Sequence, residues 1–334
     1  RLLLTGIGSS IGAHFFAHIC HHTNWHIIGI DSFRHKGLND RVSHMFKEHP
    51  EWRERVTIFT HDLTSPLSEI LRKRIGHIDY IINMASLSDV FESIQHPAEF
   101  IMNNTAIAVN MLEYAREVKP KAFIQISTDE TVGPTEAGQR LPEWSPTLPS
   151  NPYSASKACQ EAVSVSYWRT YNVPVVITNT VNNYGEMQQP NKFPVIIQKK
   201  IAKGETVMIH GNKNNIGSRF YLHSRNFADA VLFILQNTKP HLHESGKIDK
   251  PDRYNITGEE RIDNLQLAQT IAKLMGKELK YEFQDSATTR PGHDPHYGLT
   301  GDKLAKLGWK APISFEESLS NVIKFQQDNP EWIS

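Results

Sequence analysis

Two short clusters carry the residue types that acid–base chemistry needs. Tyr153-Ser154-Ala155-Ser156-Lys157 spaces a phenol and an amine four residues apart, which on a helix puts both on one face, one turn apart. A free tyrosine, with a pKa of about 10, is a poor base at neutral pH. A neighbouring cation favours the phenolate, so the pair suits removal of a hydroxyl proton while hydride leaves the same carbon. Ser127-Thr128-Asp129-Glu130 places two carboxylates side by side, and such a pair serves as acid and base when its surroundings separate the two pKa values. A third cluster, Gly6-Ile7-Gly8-Ser9-Ser10-Ile11-Gly12, suits a pyrophosphate: glycines let the backbone approach closely, and a helix start offers free N–H groups.

These clusters need a frame. Apolar runs at Leu2–Thr5, Trp25–Ile30, Val56–Phe59, Ile78–Ile82, Ala122–Ser127 and Val173–Thr178 read as buried strands. Helical patterns at Ile11–His22, Pro97–Val118 and Tyr153–Tyr171 fall between them. The alternation predicts an α/β fold, a doubly wound parallel Rossmann-type sheet with helices on both faces. The glycine loop then joins the first strand to the first helix, and the acid pair stands at the carboxyl end of the fifth. That is the edge where open α/β sheets bind ligands. Asp31 ends the second strand, where a carboxylate accepts from the adenosine ribose and repels a 2′-phosphate. This favours NAD over NADP, although Arg34 lies close enough to serve a phosphate. Asp62, after the third strand, faces the adenine. Beyond about residue 180 the sequence turns rich in Asn, Lys, Gln and Gly, with further helices near Asn226–Gln236 and Asn264–Met275. The reading is a dinucleotide-binding domain over 1–181 that also receives about 219–240. A smaller α/β substrate domain is formed by 182–218 and 241–334.

Composition narrows the function class. The 334 residues carry 36 Lys+Arg against 36 Asp+Glu, which gives no basic footprint for nucleic acid. No apolar run reaches the roughly 20 residues of a membrane span. No signal-peptide pattern is visible, and Cys20 and Cys159 form no disulfide framework, so a cytoplasmic setting is expected. Seventeen histidines without a His-Glu-x-x-His or Cys-x-x-Cys pattern give no metal site.

With these residues in place, the chain resembles the extended short-chain dehydrogenases/reductases, and within them the nucleotide-sugar 4,6-dehydratases that act on dTDP-glucose and related hexoses. Further stretches carry the likeness: Asn182-Asn183-Tyr184-Gly185, Lys192-Phe193-Pro194, Arg219-Phe220-Tyr221-Leu222 and Arg290-Pro291-Gly292-His293-Asp294. The resemblance implies NAD as cofactor, a nucleotide diphosphate hexose as substrate and a homodimer through the helices near 97–118 and 153–171, with Ala106, Val109, Val163 and Tyr167 as contacts. It implies Tyr153 as base at the C4 hydroxyl, Lys157 on the nicotinamide ribose, and Thr128 bonded to the same hydroxyl. Asp129 would protonate the departing C6 oxygen, and Glu130 would take the C5 proton. Cofactor contacts extend to Leu63, Ala85, Asn104 and Ser127. Asn182, Lys192, Arg219, Asn255, Arg290 and His293 would hold the nucleotide diphosphate or its ribose, and Ser88, Phe193, His210 and Tyr297 complete the substrate contacts.

The chain also departs from the family pattern. Ser9 replaces a glycine of the loop, and Thr131-Val132-Gly133 follows the acid pair. Asn83-Met84-Ala85 stands where a histidine usually precedes two alanines, and Ser88-Asp89-Val90-Phe91 and His210 are unusual in the sugar and base regions. Two residues are added between Gly211 and Arg219. Three alternatives follow: a nucleotide-sugar 4-epimerase or decarboxylase, a dehydratase that releases a 5,6-ene, and a non-catalytic NAD-binding sensor. The acid pair speaks against the epimerase, and the intact Tyr–Lys pair against the sensor.

Overall fold

The computed structural model describes residues 1–284 and 294–333. Its frame is a parallel seven-stranded sheet. The strands are β1 (Leu2–Thr5), β2 (Ile27–Asp31), β3 (Val56–Thr60), β4 (Tyr80–Asn83), β5 (Ala122–Thr128) and β6 (Val175–Thr180), joined by a later strand, Asp252–Ile256. The spatial order is 252–256, β6, β5, β4, β1, β2, β3. This is the expected doubly wound sheet; several strand boundaries shift by one or two residues, and local chemistry accounts for two of the shifts. Pro174 has no N–H for the ladder, so pairing begins at Val175 rather than Val173. Trp25 leaves the second strand and stacks on Tyr80 at 5.0 Å between ring centroids.

Alternation splits the sheet's apolar side chains between two cores. Leu2 and Leu4 join Phe15, Phe16 and Phe227 on one face. There α1 (Ser10–His22) packs with the helix Ser224–Asn237. Leu3, Ile28 and Ile81 join Ile107, Met111 and Trp168 on the other. That face is covered by α5 (Pro97–Val118) and α6 (Pro152–Tyr171), which follow the shorter α2 (Leu38–Glu48), α3 (Glu69–Ile75) and α4 (Val90–Gln95). Helix α6 starts sharply: Asn151 and Ser154 form a capping box that spans Pro152.

The second part contains β7 (Asn182–Tyr184), α7 (Phe193–Lys203), β8 (Val207–Asn212), β9 (Asn215–Ile216) and β10 (Ser218–His223). Helix α8 is Ser224–Asn237, β11 is Asp252–Ile256, β12 is Arg261–Asp263, α9 is Asn264–Met275 and β13 is Tyr281–Gln284. Two small three-stranded sheets, β12-β10-β7 and β13-β8-β9, pack around a third core. The sequence reading gave 241–334 to the substrate domain. Instead, β11 returns to the large sheet as an edge strand parallel to β6. Its alternation of Arg253 and Asn255 with Tyr254 and Ile256 hid a strand that is buried at four of its five positions.

The glycine loop is shaped by contacts that leave no room for side chains. Gly6 adopts φ +72°, a left-handed conformation open to glycine. A Cβ on Gly12 would lie 2.1 Å from the Gly6 carbonyl oxygen, so the first turn of α1 rests directly on the loop. Gly12→Ala should push the two apart and lower stability by roughly 1–3 kcal/mol, the usual range for overpacking. Thermal unfolding checks this, and an unchanged melting temperature would show that the contact is dispensable.

Candidate active site

The carboxyl edge of the large sheet and the second part enclose a cleft of about 780 Å³. At one end Gly6, Ser9, Ser10 and Ile11 line it, with Asp31, Asp62, Leu63 and Ala85 alongside. Gly8 and Gly12 shape the loop from behind. The Gly8 N–H donates to Asp31 Oδ2 at 2.9 Å, and the Phe33 N–H donates to Oδ1 at 3.1 Å. Asp31 thus fixes the loop while its carboxylate borders the cleft, and burial pushes its pKa up. Arg34 is committed elsewhere: it pairs with Asp62 at 3.0 Å and donates to Asn103 at 3.1 Å. A loop that excludes Cβ atoms, a helix N-terminus and a carboxylate at the edge of the cleft together fit a dinucleotide pyrophosphate and adenosine.

The middle of the cleft holds the chemistry. Strand β5 delivers Ser127 and Thr128, the short helix after it delivers Asp129 and Glu130, and the first turns of α6 deliver Tyr153 and Lys157. All six line the same cavity. Thr128 Oγ1 donates to Asp129 Oδ1 at 3.1 Å, whereas Asp129 Oδ2 is buried with no hydrogen-bond partner. Burial, reinforced by Glu130 and opposed by Arg219, pushes the Asp129 carboxyl up to about 7. Burial raises Glu130 as well, opposed first by the hydrogen bond it accepts from Asn151 Nδ2 at 3.1 Å. The two carboxyls therefore sit in different surroundings, as acid–base division requires.

The Tyr–Lys pair differs from the expectation. Lys157 Nζ donates to the Ile126 carbonyl at 2.7 Å and to Gln160 Oε1 at 2.6 Å, and burial pushes its pKa down to about 7. It does not lower the Tyr153 phenol. Burial, then Glu130 and Asp129, hold that phenol well above the usual tyrosine range, with only Thr128 opposing. The spacing of four brings the two residues to one face, but hydrogen-bond acceptors on β5 and α6 claim the ammonium first.

Towards the other end, Ser88, Asn182, Lys192, Phe193 and Arg219 line the cleft. Arg219 Nη1 and Nη2 donate to the carbonyls of Pro295 and Asp294 at 2.6 and 2.7 Å. Other expected contacts stand behind the wall. Asn104 does not reach the cofactor end of the cleft: it is fully buried and ties Leu87 to Ser156, bonding the Leu87 carbonyl at 3.0 Å and Ser156 Oγ at 2.7 Å. Asn255 Nδ2 holds the Leu141 carbonyl at 3.2 Å. Tyr297 donates to Asp294 at 2.8 Å, beneath the Arg219 guanidinium. His210 lies 6.2 Å from Phe193, ring to ring, and so touches the cleft through that neighbour. Arg290 and His293 lie outside the described residues.

Two clusters escaped sequence reading. Thr5, Asn83, Gln125 and Gln160 form a buried run of hydrogen bonds that ends on Lys157. His14 and His223 both face Glu186 Oε2, at 2.6 and 3.1 Å, and Arg225 pairs with its other oxygen. These three ligand-type side chains lie within 4.8 Å of one another. However, His223 Nδ1 accepts from the Arg225 N–H, so its Nε2 carries the proton and donates to Glu186. The grouping is a hydrogen-bonded clamp between α1 and the loop after β7. Sequence separations of 172 and 37 residues left it no local signature.

Comparison with known proteins places the chain in a family. Residues 3–322 match the family model for GDP-mannose 4,6 dehydratase. The chain is 29% identical to the low-salt glycan biosynthesis protein Agl12 of Haloferax volcanii, over 99% of both chains. It is 30% identical to a dTDP-glucose 4,6-dehydratase of Haemophilus influenzae over 97% of both. Among solved structures, the dTDP-glucose 4,6-dehydratase DesIV of Streptomyces venezuelae, determined with NAD bound, superposes with a TM-score of 0.84 at 26% identity. That match covers 99% of this chain and 98% of DesIV.

The raised Asp129 pKa has a consequence for stability. A carboxyl whose folded pKa exceeds its unfolded value contributes stability that is complete below the unfolded pKa and lost as pH rises through the folded one. The window runs from the ordinary 3.8 to about 7. Asp129→Asn escapes this loss, so its stability advantage over the wild type should widen across that window, by as much as ~4 kcal/mol. Urea denaturation at about pH 4 and pH 8 measures the gap, and a gap that stays constant would show that Asp129 is ionised in the fold at little cost.

Proposed function

The chain belongs to the GDP-mannose 4,6 dehydratase family, and from that premise we propose that it is an NAD-dependent nucleotide-sugar 4,6-dehydratase. Its substrate is a nucleotide diphosphate hexose of the dTDP-glucose kind, and its product is the 4-keto-6-deoxyhexose. The observation that carries this reading is the buried Asp129 carboxyl, with one oxygen uncommitted, beside Glu130 and in the same cleft as Tyr153. The glycine loop, the start of α1 and Asp31 are the residues that would hold NAD.

The chemistry NAD supplies when bound is acceptance of hydride from C4 and its return to C6. The chain's own residues move the protons. Tyr153 takes the C4 hydroxyl proton, and Thr128 orients that hydroxyl. With C4 a ketone, the C5 proton becomes acidic. Glu130 removes it, Asp129 donates its proton to the C6 oxygen, and water leaves across C5–C6. A carboxyl pushed up to about 7 still holds its proton near neutrality, as a general acid must. Lys192 and Arg219 supply positive charge for the diphosphate, Arg219 in the planar geometry that suits it. An epimerase would have no use for the acid pair, because nothing is eliminated. The proposal includes a homodimer through α5 and α6, on which Ala106, Val109, Val163 and Tyr167 are half-buried rather than sealed in a core.

Mass spectrometry of products from a panel of dTDP-, UDP-, GDP- and CDP-hexoses should find loss of one water from one member. A product of unchanged mass with inverted C4 would establish the epimerase, and a released 5,6-ene the truncated reaction. Losing a general acid or base costs about 10²–10⁴ in rate. Tyr153→Phe should suppress cofactor reduction and product together, whereas Asp129→Asn should let reduced cofactor build up, followed by absorbance in a single turnover. Full product formation by both Asp129→Asn and Glu130→Gln would sink the dehydratase reading.

A further inference from the structure

Glu161 has no part in the proton transfers described above, yet it is almost wholly buried and surrounded by donors. It lies on α6 four residues beyond Lys157, hence on the same helix face one turn further on. Ser127 Oγ donates to its Oε1 at 2.5 Å, and Asn179 Nδ2 does so at 2.8 Å. Thr131 Oγ1 stands 3.2 Å from the same oxygen. Arg253 Nη2, from the edge strand β11, pairs with Oε2 at 2.7 Å, and both partners of this ion pair are 4% exposed. Ser127 and Thr131 flank the Thr128–Glu130 segment on its two sides. Asn179 adds a hydrogen bond to the Thr128 carbonyl at 3.0 Å.

We propose that Glu161 and Arg253 are the positioning pair of the active site, fixing the segment that carries Asp129 and Glu130 at a set distance from the Tyr153–Lys157 face of α6. A buried carboxylate taking hydrogen bonds from both sides of a catalytic segment leaves that segment one position. Arg253 supplies the countercharge that makes a buried carboxylate tolerable. Replacing a buried ion pair with apolar groups often leaves stability unchanged, whereas removing one partner is costly. Folding alone therefore gives weak reason for an ion pair at this place, and geometry gives a strong one. The same carboxylate also favours the charged form of Lys157, so one residue serves both halves of the site.

This inference rests on the dehydratase reading for its assignment of steps, and the test separates the two. The full chain is purified with its bound cofactor as wild type, Glu161→Asp, Glu161→Gln, and the double variant Glu161→Gln/Arg253→Met. Each is assayed for NAD content, melting temperature, cofactor reduction in a single turnover, and product. Glu161→Asp keeps the charge and shortens the reach. It should retain NAD and the pH dependence of cofactor reduction, yet slow elimination by about 10²-fold, the usual cost of a displacement near 1 Å, so that reduced cofactor accumulates. Glu161→Gln removes a charge that raises the Lys157 pKa, so the alkaline limb of cofactor reduction should move to lower pH. Should that variant unfold because Arg253 is stranded, the double variant should regain the wild-type melting temperature and still accumulate reduced cofactor. A double variant that regains stability and product formation together would reduce the pair to a structural role and overturn the inference. So would a Glu161→Asp variant with wild-type partition between oxidation and elimination. Should the wild type invert C4 without losing water, the dehydratase reading fails instead. The shift of the alkaline limb in Glu161→Gln would then still decide whether Glu161 governs Lys157.

Discussion

From β1 to α6 a continuous run of buried hydrogen bonds crosses the carboxyl edge of the large sheet. Thr5 Oγ1 donates to Asn83 Oδ1 at 3.0 Å, Asn83 Nδ2 to Gln125 Oε1 at 2.9 Å, and Gln125 Nε2 to Gln160 Oε1 at 3.2 Å. Lys157 closes the run on the same Gln160 oxygen. Neighbouring parallel strands are about 4.8 Å apart, so side chains at successive carboxyl ends can reach one another only if each is long enough and offers both a donor and an acceptor. Asn and Gln satisfy both conditions, and each amide here is paired. Thr5 also accepts from the Met84 and Ala85 N–H groups, which turns the chain under the glycine loop. The cofactor loop and the catalytic helix are thereby held in one polar frame. Removing a member would leave a buried partner unsatisfied, at about 1–3 kcal/mol.

Against this satisfied frame, the cleft itself contains groups that folding would not choose. Asp129 is buried with one oxygen unpaired, Glu130 adjoins it, and Tyr153 is held away from its phenolate by burial and then by both carboxylates. Each costs stability that the surrounding network offsets. That contrast between a fully paired frame and unpaired groups facing a cavity marks a functional site better than any one residue does. Arg219 shows the same division. Its guanidinium donates to the carbonyls of Asp294 and Pro295 and so anchors that segment, while its charge still reaches Asp129 and Glu130.

What could be read from sequence follows the range of the interaction. The strands of the sheet announce themselves by apolar runs, and the glycine loop and the Tyr–Lys pair by spacing within one turn or one helix. Positions set by pairing between distant segments do not. The resemblance implies ligand contacts for Asn104 and Asn255, whereas in the fold both hold carbonyls of loops 17 and 114 residues away. Strand β11 was missed because Arg253 is polar in sequence and buried in the fold, its charge absorbed by Glu161. Conversely, Glu161 reads as one more acidic residue on a helix until β5, β6 and β11 converge on it.

The position of Lys157 then bears on how the tyrosine can ionise at all. Its ammonium is held by a carbonyl and an amide on the frame, and the carboxylates nearest Tyr153 oppose a phenolate. Burial and these carboxylates therefore favour the protonated phenol. A proton on Asp129 removes one of the two opposing carboxylates and so weakens this opposition. In the proposed reaction, the residue assigned as acid at the C6 oxygen thus also favours the residue assigned as base, provided it stays neutral during the first step. Protonation of Asp129 and ionisation of Tyr153 are in this way coupled through a single electrostatic field. Such coupling gives the pair joint titration behaviour rather than two independent pKa values, and in the proposed reaction it would tie the order of oxidation and elimination to the separation between β5 and α6.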